Sequence, residues 1–123
     1  FARLHKALEG TEDRLILPVA CEHSDPSWFG FLITCKEGVD RNKVVQYVEE
    51  RGVQTRMLFA GNLIKHPCFD EMRKTGEGYR VSGTLENTDR IMADTFWVGV
   101  YPGMTDEMID YMAKTIREAL TQA

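Results

Sequence analysis

Three side chains between positions 55 and 67 combine residue types and spacing that suit ligand binding. Arg56, Phe59 and Asn62 lie in the segment TRMLFAGNLIKHP. An arginine can hold a carboxylate or phosphate with two N–H groups, an aromatic ring can cover a flat or apolar group, and an asparagine can donate and accept hydrogen bonds. The segment therefore predicts one wall of a binding site. The alternative is a surface arginine, a core phenylalanine and a simple turn at Gly61-Asn62.

The chain around this segment predicts strands that would position it. Residues 55–59 have the β-branched and aromatic content of a strand, and Gly61 and Asn62 tolerate the positive φ of a following turn. Residues 27–36 are nearly continuous in apolar residues and predict a central strand, in which Gly30 indicates a bulge or a close approach. Residues 96–101 predict another strand, and residues 15–20, with Pro18, predict an edge strand.

Helices are predicted between and after these strands. Asp40 caps a helix that ends near Gly52, a short helix begins near Pro67, and Asn87 or Thr88 caps a helix that ends near residue 94. Thr105 caps the last helix, whose predicted apolar stripe is Met108, Ile109, Met112, Ile116, Ala119 and Leu120. This order predicts an α+β fold, with a small mixed or antiparallel sheet covered on one face by two long helices.

Length and charge limit the classes of function. A chain of 123 residues forms one domain, and a net charge of -4 with scattered basic residues argues against nucleic acid or an anionic membrane as the main partner. No apolar run is long enough to span a membrane, and residues 1–10 lack the pattern of a signal peptide. Three cysteines cannot form a complete disulfide framework, so we expect a cytoplasmic protein.

The histidines and cysteines are candidate metal ligands. Cys21-x-His23 and His66-x-Cys68 could together supply the four ligands of a tetrahedral zinc site, but both pairs would need turn geometry to converge on one ion. The spacing does not match known zinc modules, so we predict no metal site. A phosphate-binding glycine loop and a Gly-x-Ser-x-Gly elbow are also absent from the sequence.

Four segments, in order along the chain, closely resemble one enzyme family. They are SDPSWFGF (24–31), TRMLFAGNL (55–63), NTDRIM (87–92) and TFWVGVYPGMT (95–105). They resemble the C-terminal part of the lipopolysaccharide-biosynthesis nucleotide-sugar 3-dehydrases, a group that includes CDP-4-keto-6-deoxyglucose 3-dehydrase. These enzymes belong to the pyridoxal-phosphate-dependent sugar aminotransferase superfamily.

The resemblance implies that residues 1–123 are the small C-terminal domain of a fold-type-I enzyme, with the large cofactor domain upstream. Residues 1–10 have the pattern of a helix already under way, which agrees with that expectation. The intact enzyme would be a homodimer that uses pyridoxamine phosphate (PMP), the amine form of pyridoxal phosphate (PLP), to remove the 3-hydroxyl of a nucleotide-linked 4-keto-6-deoxyhexose. A histidine would replace the Schiff-base lysine of relatives.

The resemblance also implies which groups lie outside these residues. That histidine would belong to the large domain. Some members also carry an iron–sulfur cluster for reduction by a partner reductase, and its cysteines would belong to the large domain as well. We therefore expect no catalytic residue, no bound cofactor and no activity in these 123 residues alone, and we do not assign those roles to their own histidines and cysteines.

The candidate substrate- or cofactor-facing residues are Arg56, Phe59 and Asn62, followed by Ser27, Trp28 and Phe29. For Trp28, Phe29 and Trp97, a place in the domain core is an equal alternative. Residues 58–61, LFAG, replace a His-Tyr-x-Pro-like stretch of the sister aminotransferases, which favours a dehydrase. A sugar aminotransferase and a stand-alone, noncatalytic ligand-binding module remain the alternatives.

Overall fold

A four-stranded antiparallel sheet forms the centre of the computed structural model, which describes all residues 1–123. The strands are β1 (Leu15–Ile16), β2 (Gly30–Cys35), β3 (Thr55–Met57) and β4 (Thr95–Gly99), in the spatial order β1-β2-β4-β3. Residues 30–34 of β2 pair with residues 95–99 of β4, and β3 pairs with the middle of β4. The prediction of β2 as a central strand and of β1 as an edge strand is thus confirmed, although both are shorter than predicted.

Five α-helices and two short 3-10 helices complete the fold. The α-helices are α1 (Ala2–Leu8), α2 (Arg41–Glu49), α3 (Asp70–Thr75), α4 (Glu86–Asp94) and α5 (Asp106–Leu120), and the 3-10 helices are Leu63–Lys65 and Pro67–Phe69. The predicted caps of α2 and α5 are confirmed, because Asp40 accepts hydrogen bonds from the backbone at positions 42 and 43, and Thr105 accepts one from position 108. No helix is long and apolar enough to cross a membrane.

The hydrophobic core lies between one face of the sheet and helices α1, α2 and α5. Side chains alternate between the two faces of a strand, and in β2 every second residue is fully buried. These buried sheet residues pack with the inward residues of the three helices; the cluster includes Phe31, Ile33, Cys35, Phe96, Val98, Leu4, Leu8, Val44, Val48, Ala113, Ile116, Ala119 and Leu120. The α+β prediction is confirmed, with a wholly antiparallel sheet and three covering helices in place of two.

The opposite face of the sheet carries Leu32, Trp97 and Arg56, which are cross-strand neighbours in the pairing of β2, β4 and β3. None of the three is buried, whereas their neighbours along the strands are, with the exception of Met57 at the end of β3. We call this surface the open face. Gly30 lies beside it, and a side chain at this position would collide with the ring of Trp97, so the predicted close approach at Gly30 is confirmed.

Two predicted helix details are wrong. Helix α4 begins at Glu86 after Leu85, which has a φ of 58° and provides no side-chain cap, so neither Asn87 nor Thr88 is the cap. Met108 was predicted to face the core with the rest of the α5 stripe, yet its side chain is 46% exposed. Met108 lies in the first turn of α5, whereas the buried residues of this helix lie between Ala113 and Leu120.

The one-sided core predicts very different costs for two isoleucine truncations. Ile33→Ala removes a fully buried side chain of β2 and should lower the free energy of unfolding by about 2–5 kcal/mol. Ile91→Ala, on the exposed side of α4, should change it by less than about 1 kcal/mol. Urea unfolding of the 123-residue chain, followed by circular dichroism, measures both values. Equal losses for the two variants would contradict the described core.

Candidate functional site

Three aromatic rings form a cluster on the open face, and we call Phe29, Phe59 and Trp97 the aromatic patch. The ring of Trp97 lies between the other two, with centroid distances of 4.7 Å to Phe29 and 5.5 Å to Phe59. The side chains of Phe29 and Phe59 are 78% and 76% exposed, an unusual cost for residues of this size. The patch therefore has the properties of a contact surface, and the alternative that Phe29 belongs to the core does not fit its exposure.

Arg56 lies beside the aromatic patch. It is the direct cross-strand neighbour of Trp97, so its side chain leaves the sheet on the open face. One guanidinium nitrogen, Nη1, donates a 2.7 Å hydrogen bond to the carbonyl of Thr55, and no carboxylate pairs with the group. The remaining N–H groups can therefore bind an anion next to the rings.

The turn from Leu58 to Asn62 holds Phe59 against Trp97. The backbone of Phe59 has a conformation that residues other than glycine rarely adopt. Phe59 has a φ of 45°, and its backbone N–H donates to the carbonyl of Met57 at 2.7 Å. Gly61 follows with a φ of 60°. The turn was predicted, and Gly61 has the positive φ expected there. Asn62 instead has an extended conformation before a 3-10 helix, and the other positive φ of the turn lies at Phe59.

Asn62 is buried, with 3% of its surface exposed, and its side chain points to helix α4. Its amide nitrogen donates a 2.7 Å hydrogen bond to Oδ1 of Asp89, which also accepts one from Nζ of Lys65 at 2.8 Å. These bonds, first that of Lys65 and then that of Asn62, hold the pKa of the Asp89 carboxyl below its usual value. The amide group of Asn62 therefore connects two parts of the fold.

Ser27 and Trp28 lie apart from the aromatic patch. Trp28 is half-buried and stacks on Phe1, with ring centroids 4.4 Å apart and an interplanar angle of 5°. Phe1 in turn contacts Phe31 of the core, so Trp28 belongs to the packing near α1. Ser27 is exposed. Of the predicted site residues, the fold thus brings together Arg56, Phe29 and Phe59.

A groove of about 550 Å³ continues from the patch around the end of the sheet to helix α5. Phe29, Trp97 and Arg56 line one side of it, and the opposite side consists of Tyr101, Met104, Met108, Tyr111 and Met112. Sequence reasoning missed this second side, because the helical spacing of the methionines matches a core stripe. The available signal in the sequence was the pair of tyrosines at positions 101 and 111, which lie among these methionines.

The groove has the composition of a binding surface. Most of its lining is apolar, Arg56 is its one cationic residue, and neither lysine nor histidine lines it. Such a surface can cover a ring and bind a carboxylate or phosphate. It offers no amine for a Schiff base and no imidazole for proton transfer.

The thiols and imidazoles form no metal site, since no group of three or more His, Cys, Asp or Glu residues is close enough to hold an ion. Cys21 and Cys68 are exposed, whereas Cys35 is buried in the core under β2. Burial, with a smaller contribution from the carboxylate of Asp94, raises the pKa of the Cys35 thiol to about 11. Cys35 is therefore a protonated core residue at neutral pH.

Comparison with known proteins identifies the family of the chain. Residues 1–117 match the DegT/DnrJ/EryC1/StrS aminotransferase family. The chain belongs to this family. The resemblance inferred from the four sequence segments is thereby confirmed, as is the fold that it implied.

Two relatives match nearly the whole chain. The lipopolysaccharide biosynthesis protein RfbH of Salmonella typhimurium is 49% identical over 120 residues, which cover 96% of this chain and 26% of that protein. The dTDP-4-dehydro-2,6-dideoxy-D-glucose 3-dehydratase of Saccharopolyspora spinosa is 46% identical over 123 residues, covering 98% and 25%. The chain thus spans about a quarter of the length of these relatives.

A solved structure shows the same fold. The Escherichia coli GDP-4-keto-6-deoxy-D-mannose-3-dehydratase with bound hydrated PLP superposes with a TM-score of 0.69 at 24% sequence identity. The match covers 94% of this chain and 29% of that one. At this level of identity the comparison establishes the fold of a PLP-dependent sugar enzyme.

The thiol environments predict two reactivity classes. In the 123-residue chain at pH 8, Cys21 and Cys68 should react rapidly with Ellman's reagent, and Cys35 should react only after unfolding, because it is buried and its pKa of about 11 leaves little thiolate. The Cys35→Ala variant, the control, should retain two rapid thiols. Three rapid thiols in the folded wild-type chain would contradict the described core.

Proposed function

We propose that the whole protein is a PLP/PMP-dependent nucleotide-sugar 3-dehydratase and that these residues are its small domain. The proposed reaction removes the C3 hydroxyl of a nucleotide-linked 4-keto-6-deoxyhexose in lipopolysaccharide or O-antigen biosynthesis. The observation that carries the proposal is the 46% identity, over the full 123 residues, with a protein named as a sugar 3-dehydratase. The 49% identity with a lipopolysaccharide biosynthesis protein supports the same pathway class.

The aromatic patch and Arg56 fit one wall of a PLP site. When bound, the cofactor would supply an electron sink: its ring would stabilise the electron pair left by deprotonation of the amine form, and that pair would expel the C3 hydroxyl of the sugar, which leaves as water. Phe59, Trp97 and Phe29 offer apolar surface that excludes water from one side of such a ring or of the sugar, and Arg56 can bind a phosphate or carboxylate beside it. Because the groove contains no lysine, the group that reacts with the cofactor lies elsewhere in the whole protein.

The apolar content of residues 58–60 supports a dehydratase over a transaminase. Leu58, Phe59 and Ala60 offer no side-chain donor or acceptor at the position where the resemblance places a His-Tyr pair in the aminotransferases. An apolar wall keeps bulk water away from the reacting atoms.

The assembly belongs to the same proposal. We expect a homodimer in the cytoplasm, without nucleic acid or membrane as a partner. If the enzyme carries an iron–sulfur cluster and uses a reductase partner, the cluster ligands lie in the remainder of the protein, since two of the three thiols here are isolated on the surface and the third is in the core.

The direct test is to incubate the full-length protein with PMP and CDP-, dTDP- or GDP-linked 4-keto-6-deoxyhexoses. The proposal expects loss of the C3 oxygen, detected by mass spectrometry of the product. An aminotransferase would instead form an amino sugar when an amino donor is added, and the family name keeps this second candidate open. A histidine at the Schiff-base position of the full sequence would support dehydration, and a lysine would support transamination. Absence of both activities and of a PLP domain would leave the stand-alone ligand-binding module.

Arg56 gives the first site-directed prediction. In the full-length enzyme, Arg56→Ala should lower kcat/KM for the nucleotide sugar by about tenfold or more, because a charge-assisted hydrogen bond is worth about 1.5–3 kcal/mol. Folding should not change, since the side chain is exposed and its one bond is to its neighbour's carbonyl. The matched control is Arg80→Ala, in the exposed loop after α3. Wild-type kinetics for Arg56→Ala would remove this residue from the site.

The absence of a lysine from the groove gives the second prediction. The 123-residue chain alone should not bind PLP in a saturable way, because no lysine lines the groove. Titration with PLP, borohydride reduction and peptide mapping test this expectation. A single lysine modified stoichiometrically at low PLP concentration would contradict it, whereas diffuse labelling of surface lysines would not.

A further inference from the structure

The position of the exposed Phe59 ring depends on contacts that hold the turn at residues 58–62. Phe59 has both a rare positive φ and a largely exposed aromatic side chain, two features that a free turn would relax. The ring is nevertheless placed against Trp97 at a centroid distance of 5.5 Å. Contacts elsewhere in the turn must therefore stabilise this arrangement.

Helix α4 supplies those contacts. Asn62 donates its side-chain N–H to Asp89 Oδ1 at 2.7 Å, and its backbone N–H lies 3.3 Å from Sδ of Met92, one helical turn further along α4. Gly61 packs so closely on Met92 that a Cβ atom there would lie 2.7 Å from Met92 Cγ. The turn is thus seated on one side of the helix.

Asn62 is the buried polar group in this contact. With 3% of its surface exposed and its amide nitrogen bound to Asp89, its donor is directed away from the open face. A ligand on the aromatic patch could reach this amide only if the bond to Asp89 broke. The geometry therefore favours an indirect role over direct contact with substrate or cofactor.

We propose that Asn62 is a positioning residue that sets the location of the Phe59 ring through its hydrogen bond to Asp89. The bond holds the turn on α4, the turn holds Phe59 in its positive-φ conformation, and the ring thereby covers Trp97 on the open face. The kinetic consequence rests on the proposed function, whereas the structural consequence does not.

The structural arm uses fluorine NMR of the full-length protein labelled with 5-fluorotryptophan. The Trp97 resonance is assigned by its loss in Trp97→Phe, and Phe59→Ala defines its shift when the neighbouring ring is absent. Asn62→Ala should move the Trp97 resonance in the same direction as Phe59→Ala. The control Asn87→Ala, an exposed position of α4, should leave it at the wild-type shift.

An exchange of partners tests the hydrogen bond itself. Asn62→Asp alone places two carboxylates together and should displace the Trp97 resonance. The double variant Asn62→Asp/Asp89→Asn exchanges donor and acceptor at the same net charge, so it should restore the resonance and confirm that the protein folds. A wild-type shift in Asn62→Ala, or no recovery in the double variant, would overturn the proposal.

The kinetic arm is a double-mutant cycle on the dehydratase reaction. Asn62→Ala should lower kcat/KM by about tenfold, a loss in the range expected when a group near the reacting atoms is misplaced. In the Phe59→Ala background the same substitution should have less than about a twofold effect, since its effect passes through the ring. Independent, multiplicative losses would overturn the proposal. If the enzyme proves to have another activity, the proposed function fails and the NMR arm still decides the role of Asn62.

Discussion

The structure depends on a sheet that is covered on one side only. Side chains alternate along antiparallel strands, so the helices that bury Phe31, Ile33, Phe96 and Val98 leave the residues between them on the other face. In a free-standing domain that second face would normally be polar. Here it carries Trp97 and Leu32, with Phe29 and Phe59 beside them, so the same pairing that builds the core also builds the candidate site.

The open face has the groups of a binding surface. Its chemical resources are apolar rings, one arginine and backbone, and the acidic and basic side chains that pair with each other lie elsewhere, as Lys65 and Asp89 do. A wall of this kind can exclude water, orient a ring and hold an anion. The chain spans about a quarter of the length of the two relatives that match it over nearly its whole length.

The architecture could be predicted from the sequence where local signals and burial agree. The apolar run of β2, the caps Asp40 and Thr105, and the close approach at Gly30 all follow from residue type and period, and each is present. Prediction failed where tertiary contacts override local preference. Met108 has the helical spacing of a core residue but is exposed and lines the groove, and Leu85 takes the left-handed conformation that precedes α4.

The residue types of the candidate site follow from the sequence more directly than their arrangement does. Arg56 and Phe59 could be selected from composition and resemblance because arginine and aromatic residues before a glycine turn are suited to binding. That Asn62 points inward could not, since its direction depends on Asp89, which lies 27 residues away in sequence. The pairing of Phe29 with Trp97 likewise depends on the register between β2 and β4, which composition does not specify.

In the turn after β3, one residue has a strained backbone and another forms a buried hydrogen bond that stabilises the turn. Phe59 bears the unfavourable backbone conformation and the exposed ring, and three residues later Asn62 contributes a buried, charge-assisted hydrogen bond that opposes both costs. The two residues belong to one short turn, so neither can be explained separately. Without the hydrogen bond of Asn62, the strained conformation of Phe59 has no support. Without the exposed ring of Phe59, that strained conformation has no evident use. The arrangement is what a surface needs when it must keep an aromatic ring in place before its ligand arrives.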